Sequence, residues 1–236
     1  MLKASDFRLL SVQVALFFND GKSFSQSSFL ANMLGKYIAR YDGAVQALPF
    51  SDTDPQEIPR VLLQSKDGQW RLQATLNRVD SFWNTRDLSQ DTAGIIDQCT
   101  EVVKYFAEAT SNLQITRLAL VLNRITQTEK AAQELIDRFC NDDSKRAPFN
   151  RSENFEIHNH KKYELKQTHY MVNSWVRCKS ALVIQPIQAR AVIIEQDINT
   201  PEDIESIFNL AKVEEFYQET QNEMNDILSI YFPEER

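Results

Sequence analysis

The stretch ITRLALVLNRI at residues 115–125 constrains the fold more than any other part of the chain. It is rich in aliphatic and β-branched residues and lies between Asn112 and Thr126-Gln127-Thr128, which predicts a buried strand. The elements on either side of it share one outline. Residues 7–19 alternate, so Val12, Val14, Leu16 and Phe18 lie on one face of a strand. Asp20-Gly21-Lys22 reads as a turn, and Ser23 and Ser25 as the cap of a helix striped by Leu30, Met33, Leu34, Tyr37, Ile38 and Tyr41, with Gly43 as its stop. Residues 44–50 fit a short strand. Residues 60–65 and 69–77 flank Lys66-Asp67-Gly68, a β-hairpin with glycine where the backbone needs positive φ. On its second strand Trp70, Leu72, Ala74 and Leu76 oppose Arg71, Gln73, Thr75 and Asn77, the pattern of an antiparallel sheet covered on one face. Residues 80–87 then lead into a helix over 89–112, with Ile95, Ile96, Cys99, Val102, Val103 and Phe106 inward.

After the central strand the order repeats. A helix is predicted over 129–140, a polar loop over 141–152, and strands over 155–165, 169–183 and 190–198. Thr200-Pro201-Glu202-Asp203 has the composition of a helix start, and the final helix runs to Tyr231. The first strands of the two halves begin at Arg8 and Arg117, an offset of 117 − 8 = 109 residues. The expected fold is α+β, with two similar halves (strand, helix, antiparallel strands, long helix) at residues 1–113 and 114–236. Together they form one compact pseudo-duplicated unit, an antiparallel sheet covered on one face by long helices.

Composition narrows the function classes. A hydrophobic fraction of 42% with 25% charged residues is that of a globular chain long enough for a sizeable core. No apolar run reaches the roughly 20 residues that cross a bilayer. The opening MLKASDFRLL lacks the apolar core of a signal peptide, so the expected compartment is the cytoplasm, with no membrane partner. Cys99, Cys140 and Cys178 are odd in number and scattered, as reduced thiols are. The net charge of -7 argues against nucleic acid, whose affinity comes from Lys and Arg neutralising phosphates. None of the 5 glycines forms a phosphate-binding loop, and no cofactor is expected.

The element order is similar to the duplicated sheet-and-helix saddle of the TATA-box-binding protein. That resemblance is topological and brings no DNA-binding residues with it. RLALVLNRI at 117–125, VIIEQDI at 192–198 and the long final helix together resemble a sporadically distributed family of uncharacterised bacterial proteins. Val121 and Leu122 stand where that family has a more aromatic pair, and Glu195-Gln196-Asp197 is a variant of its acidic pattern. The resemblance implies the fold and carries no activity.

Three sets of residues have chemistry to offer. His158 and His160 share one face of a strand, and His169 across a hairpin would complete a metal set; without convergence they are a solvated strand face. Glu195 and Asp197 share a face of the last strand, where paired carboxylates do acid–base work or hold Mg²⁺; the alternative is surface ion pairing. Arg117, Asn123 and Arg124 on the central strand are placed to sit near them. Lys161 and Lys162, with Lys145, Arg146, Arg151 and the aromatics Phe149, Phe155 and Tyr163, form the one basic-aromatic cluster, a stacking surface or a charged loop. With no nucleophile–base spacing in the sequence, the expected function is a non-catalytic binding or protein-interaction module. A protein partner or a second copy, paired through the long final helix, is the expected ligand. The alternatives are a metal-dependent hydrolase or nuclease using Glu195 and Asp197, and a small-molecule binder with a cavity between sheet and final helix.

Overall fold

In the computed structural model the described residues are 1–19, 26–48, 55–110, 113–143, 148–184, 188–202 and 207–234. The serines expected to cap the first helix, the turn at 20–22, Lys145, Arg146 and Asp203 lie outside them. Among the described residues nine strands form one antiparallel sheet. In chain order they are β1 (Arg8–Phe18), β2 (Val45–Ala47), β3 (Val61–Gln64), β4 (Trp70–Ala74), β5 (Arg78–Asn84), β6 (Ile115–Gln127), β7 (Glu156–Glu164), β8 (Met171–Val183) and β9 (Ala189–Asn199). Among the described residues the α-helices are α1 (Gln26–Tyr37), α2 (Ile95–Ala109), α3 (Ala131–Phe139) and α4 (Leu210–Tyr231).

The sheet order is β2-β3-β4-β5-β1-β6-β9-β8-β7. The first strand of each half therefore meets the other at the centre, and the later strands of each half extend outward. The β1–β6 register pairs Val12 with Leu122, Val14 with Leu120 and Leu16 with Leu118. Three successive aliphatic pairs on one side are a sound reason for this seam, because directly opposed side chains are the unit of sheet stabilisation. All six residues are buried.

The helices cover that same side. Cys99, Val102, Val103 and Phe106 of α2 and Val213, Phe216, Tyr217 and Met224 of α4 join one core with the seam. Phe29 of α1 packs edge-on against Phe106. Leu135 of α3 packs with Val176, Cys178, Val192 and Ile194 of β8 and β9. The buried Tyr217 hydroxyl donates to the Ala15 carbonyl at 2.7 Å, tying α4 to β1. Glu219, on the same helix, accepts from the amides of Gln167 and Thr168 at 2.6 and 2.8 Å and so closes the β7–β8 turn.

Three local expectations need correction. Residues 78–84 are a strand, not a lead-in: Val79, Ser81 and Trp83 face the core while Arg78, Asp80 and Phe82 face away. The preceding helix α1 ends before Gly43, which instead lets the chain approach β3 closely; a Cβ there would stand 2.7 Å from the Gln64 carbonyl oxygen. The long final helix starts at Leu210, where the Asn209 side chain accepts from the Lys212 amide at 2.9 Å. Thr200 is buried and serves a longer-range bond, its hydroxyl accepting from the Leu118 amide.

Cys99 and Cys178 lie wholly in the core, whereas Cys140 is half-buried. An aromatic disulfide reagent at neutral pH is therefore expected to titrate one thiol in the native protein and three in urea, because access limits thiol reactivity. Rapid modification of all three without denaturant would contradict this packing. No described helix is long and apolar enough to cross a membrane.

Candidate binding face of the sheet

Alternation along each strand sends every second side chain to the face without helices. The registers align these side chains in rows across the sheet. One row runs Arg71, Phe82, Gln13, Val121, Asp197, Trp175 and His160; the next runs Asn84, Ser11, Asn123, Glu195, Arg177 and His158. The face is thus polar and aromatic, except at one corner where Ile125, Val183 and Ala191 cluster with Leu10 and Leu88.

At the centre the face is built from stacked cations. The guanidinium groups of Arg78 and Arg117 lie 4.5 and 4.9 Å from the centre of the Phe17 ring, and that of Arg71 lies 4.0 Å from Phe82. Arg78 also binds Asp80 at 2.6 Å, and Gln13 donates to the same carboxylate oxygen at 2.9 Å. Burial pushes the Asp80 carboxyl above its ordinary value, against the pull of Arg78 and Gln13.

On the β9–β8–β7 side the registers bring together residues far apart in sequence. Trp175, Arg177, His158, Glu195 and Asp197 line a depression of about 270 Å³. Trp175 is 46% exposed and stacks flat on His160, ring centres 3.9 Å apart and planes within 9°. Arg177 lies between two acids, 3.3 Å from Glu195 and 3.3 Å from Glu156. Asp197 accepts from Asn199 at 2.9 Å, and Asn199 in turn accepts from Arg117 at 3.0 Å. Burial raises the Asp197 carboxyl, opposed by the Asn199 hydrogen bond and the Arg117 charge and assisted by Glu195.

Several sequence candidates do belong here. Glu195, Asp197, His158 and His160 share the face, as do Arg117 and Asn123, whose amide donates to Ser11 at 3.0 Å. Arg124 does not. One residue along the strand reverses the face, so Arg124 points under the helices, where it donates to Gln196 and, at 2.8 Å, to Asn225 of α4. Burial there lowers its pKa to about 10. For the same reason Lys161 and Lys162 part company, Lys161 towards α4 and Lys162 towards the open face. Neither forms a group with Phe149 and Phe155, which pack on each other at 5.3 Å.

The three histidines do not converge either. His158 bonds to Glu156 at 2.7 Å, His160 stacks on Trp175, and His169 sits beyond the strand ends, bonded to Glu164 at 2.6 Å. Among the described residues no group of three or more His, Cys, Asp or Glu is placed to hold a metal ion. The two carboxylates expected to act as a pair are each held by a donor, Glu195 by Arg177 and Asp197 by Asn199.

Trp175 and Arg177 are the residues that sequence reasoning missed. The signal for them is present in β8. Val172, Ser174, Val176 and Cys178 alternate with Asn173, Trp175, Arg177 and Lys179, so a tryptophan stands in the polar register of a half-covered strand. No protein-family model and no curated protein matches the chain.

Proposed function

We propose that the protein is a non-catalytic binding module that docks a partner protein on the open face of its sheet, centred on Trp175 and Arg177. The observation that carries this reading is the exposed Trp175, held rigid by its stack on His160 beside the depression. Tryptophan and arginine are the side chains that contribute most at protein interfaces, where they fill pockets from which water is expelled. Fixing Trp175 and Arg177 before binding lowers the entropy cost of docking. The carboxylates fit this role better than hydrolysis, since both are engaged by neighbouring donors. The sheet order, in which β1 and β6 meet and each is flanked outward by the last strand of its own half and then by the earlier ones, supports a further reading of the chain as two copies of one structural unit.

The test places a photo-crosslinking aromatic amino acid at position 175 of the full chain in its own cells, with Asp97 on an exposed helix surface as the control position. A discrete adduct is expected from position 175 and not from 97, lost when Arg177→Glu is added. An adduct at twice the 27.3 kDa chain mass would make the partner a second copy and would equally support the reading. No adduct, or one indifferent to Arg177, would refute it.

A further inference from the structure

On the helix-covered side, β7 and α4 enclose a groove of about 460 Å³. Tyr163 bonds to Glu223 at 2.9 Å at one end, and Asn159 to the Tyr231 hydroxyl at 2.8 Å at the other. Four strand residues at about 3.3 Å each and eight helix residues at about 1.5 Å each cover nearly the same distance, about 12–13 Å. The strand and helix therefore run side by side in opposite directions, with Lys161 midway along one wall and Ile227 midway along the other. Ile230, 75% exposed, stands on the helix wall.

The strand wall is an open edge. β7 pairs with β8, and among the described residues no strand pairs with its other side. Leu165 donates to the Tyr170 carbonyl and Ser180 to the Phe155 carbonyl, so the odd-numbered residues of β7 face β8. Hydrogen-bonded and non-bonded pairs alternate in an antiparallel ladder, so the amides and carbonyls of the even-numbered residues, His160 and Lys162 beside the groove, point outward.

We infer that the groove between β7 and α4 takes an extended acidic peptide, which adds to β7 as a tenth strand. Main-chain bonds to an exposed edge supply affinity in such docking, and alternate side chains supply specificity. Apolar side chains of the peptide would lie on the α4 side, against Ile227, Ile230 and Tyr231. Acidic ones would fall on the opposite side, beside Lys162. The charge argument selects the occupant: neither Lys161 nor Lys162 has an ion-pair partner among the described residues. Antiparallel self-pairing centred on His160 sets Glu156 against Glu164, and like charges directly opposite are unfavourable, which disfavours that register of a second copy. Unpaired lysines on an edge discourage indiscriminate pairing, and an acidic strand is the one they admit. The groove lies on the other side of the sheet from Trp175, only the peptide's acidic side chains would reach the open face at its β7 edge, and the inference does not depend on the reading given above.

The test uses the full chain and a fluorescein-labelled acetyl-Glu-Val-Glu-Val-Glu-Val-amide, followed by anisotropy. Saturable binding is expected, about tenfold or more tighter than that of the analogue with lysine in place of glutamate. His160→Ala, which keeps the outward amide, should bind within about threefold of wild type. His160→Pro, which removes that amide at an edge position where proline is tolerated, should weaken binding about tenfold or more. The double substitution Lys161→Glu, Lys162→Glu should weaken it as much and serves as a second variant should His160→Pro not fold. Amide exchange of His160 and Lys162 should slow on binding. Equal binding of the two peptides, or no protection of these amides, would overturn the inference, as would a groove that takes an apolar dye but no peptide.

Discussion

Trp83→Ala is expected to destabilise the protein by about 3–5 kcal/mol, the cost of removing a large buried aromatic and leaving its cavity. Trp83 is fully buried on the helix side of β5, opposite Val12 on one flank and Trp70 on the other. The surrounding sheet cannot collapse into the gap, because both neighbours are fixed by strand pairing. Trp83→Phe separates volume from hydrogen bonding. The indole N–H has no hydrogen-bond partner among the described residues, so the phenylalanine loses only volume, at about 1–2 kcal/mol. Urea unfolding followed by far-ultraviolet circular dichroism measures both. A Trp83→Ala midpoint close to that of the wild type would mean that β5 does not pack as described, and with it the order of the whole first half.

The strand β5 is also where the sequence is hardest to read. Arg78-Val79-Asp80-Ser81-Phe82-Trp83 alternates correctly, but an aspartate inside a strand argues for a turn by composition. Asp80 is buried all the same, because Arg78 and Gln13 supply its hydrogen bonds, and Gln13 comes from another strand. Local propensity cannot foresee a partner 67 residues away. The strands β1 and β6 were legible for the opposite reason: their aliphatic residues mark a buried strand without any specific partner, although their pairing with each other was not. The long final helix begins at Leu210 and not at Thr200, whose hydroxyl the chain uses on β6. The candidate face followed the same rule. Glu195 and Asp197 were visible as neighbours along one strand, and His158 as a residue on another. That they line one depression with Trp175 and Arg177 depends on register, which no single strand contains. Arg124 shows the converse, since one step along the strand moved it from the open face to the underside of α4.

Alkaline pH should unfold the protein through its buried thiols. Burial pushes Cys99 up to about 12, with Ser81 and Arg40 acting in the opposite direction, and burial alone pushes Cys178 up to about 12; the unperturbed value is 9.0. An acid whose folded pKa is raised keeps its proton in the folded chain after the unfolded chain has released it. The stability contributed is therefore present in full below pH 9.0 and is lost as pH rises towards 12. Each pH unit in that window removes about 1.4 kcal/mol per thiol, so the pair should cost on the order of 4 kcal/mol by about pH 10.5. Tyr163, pushed to about 12 chiefly by burial and further by Glu223 against the Ser174 hydrogen bond, and the fully buried Tyr217 add to the same slope above pH 10.0. Stabilities of small domains are only about 5–15 kcal/mol, so a loss of this size should be visible as a steep fall in the urea midpoint between pH 8.5 and about 10.5. The double variant Cys99→Ala, Cys178→Ala starts lower at neutral pH, because two buried side chains shrink, yet should lose less over the same interval. Parallel curves for variant and wild type would show that the thiols are not the groups whose ionisation opens the core, leaving the buried tyrosines, Tyr41 among them, as the source of the fall.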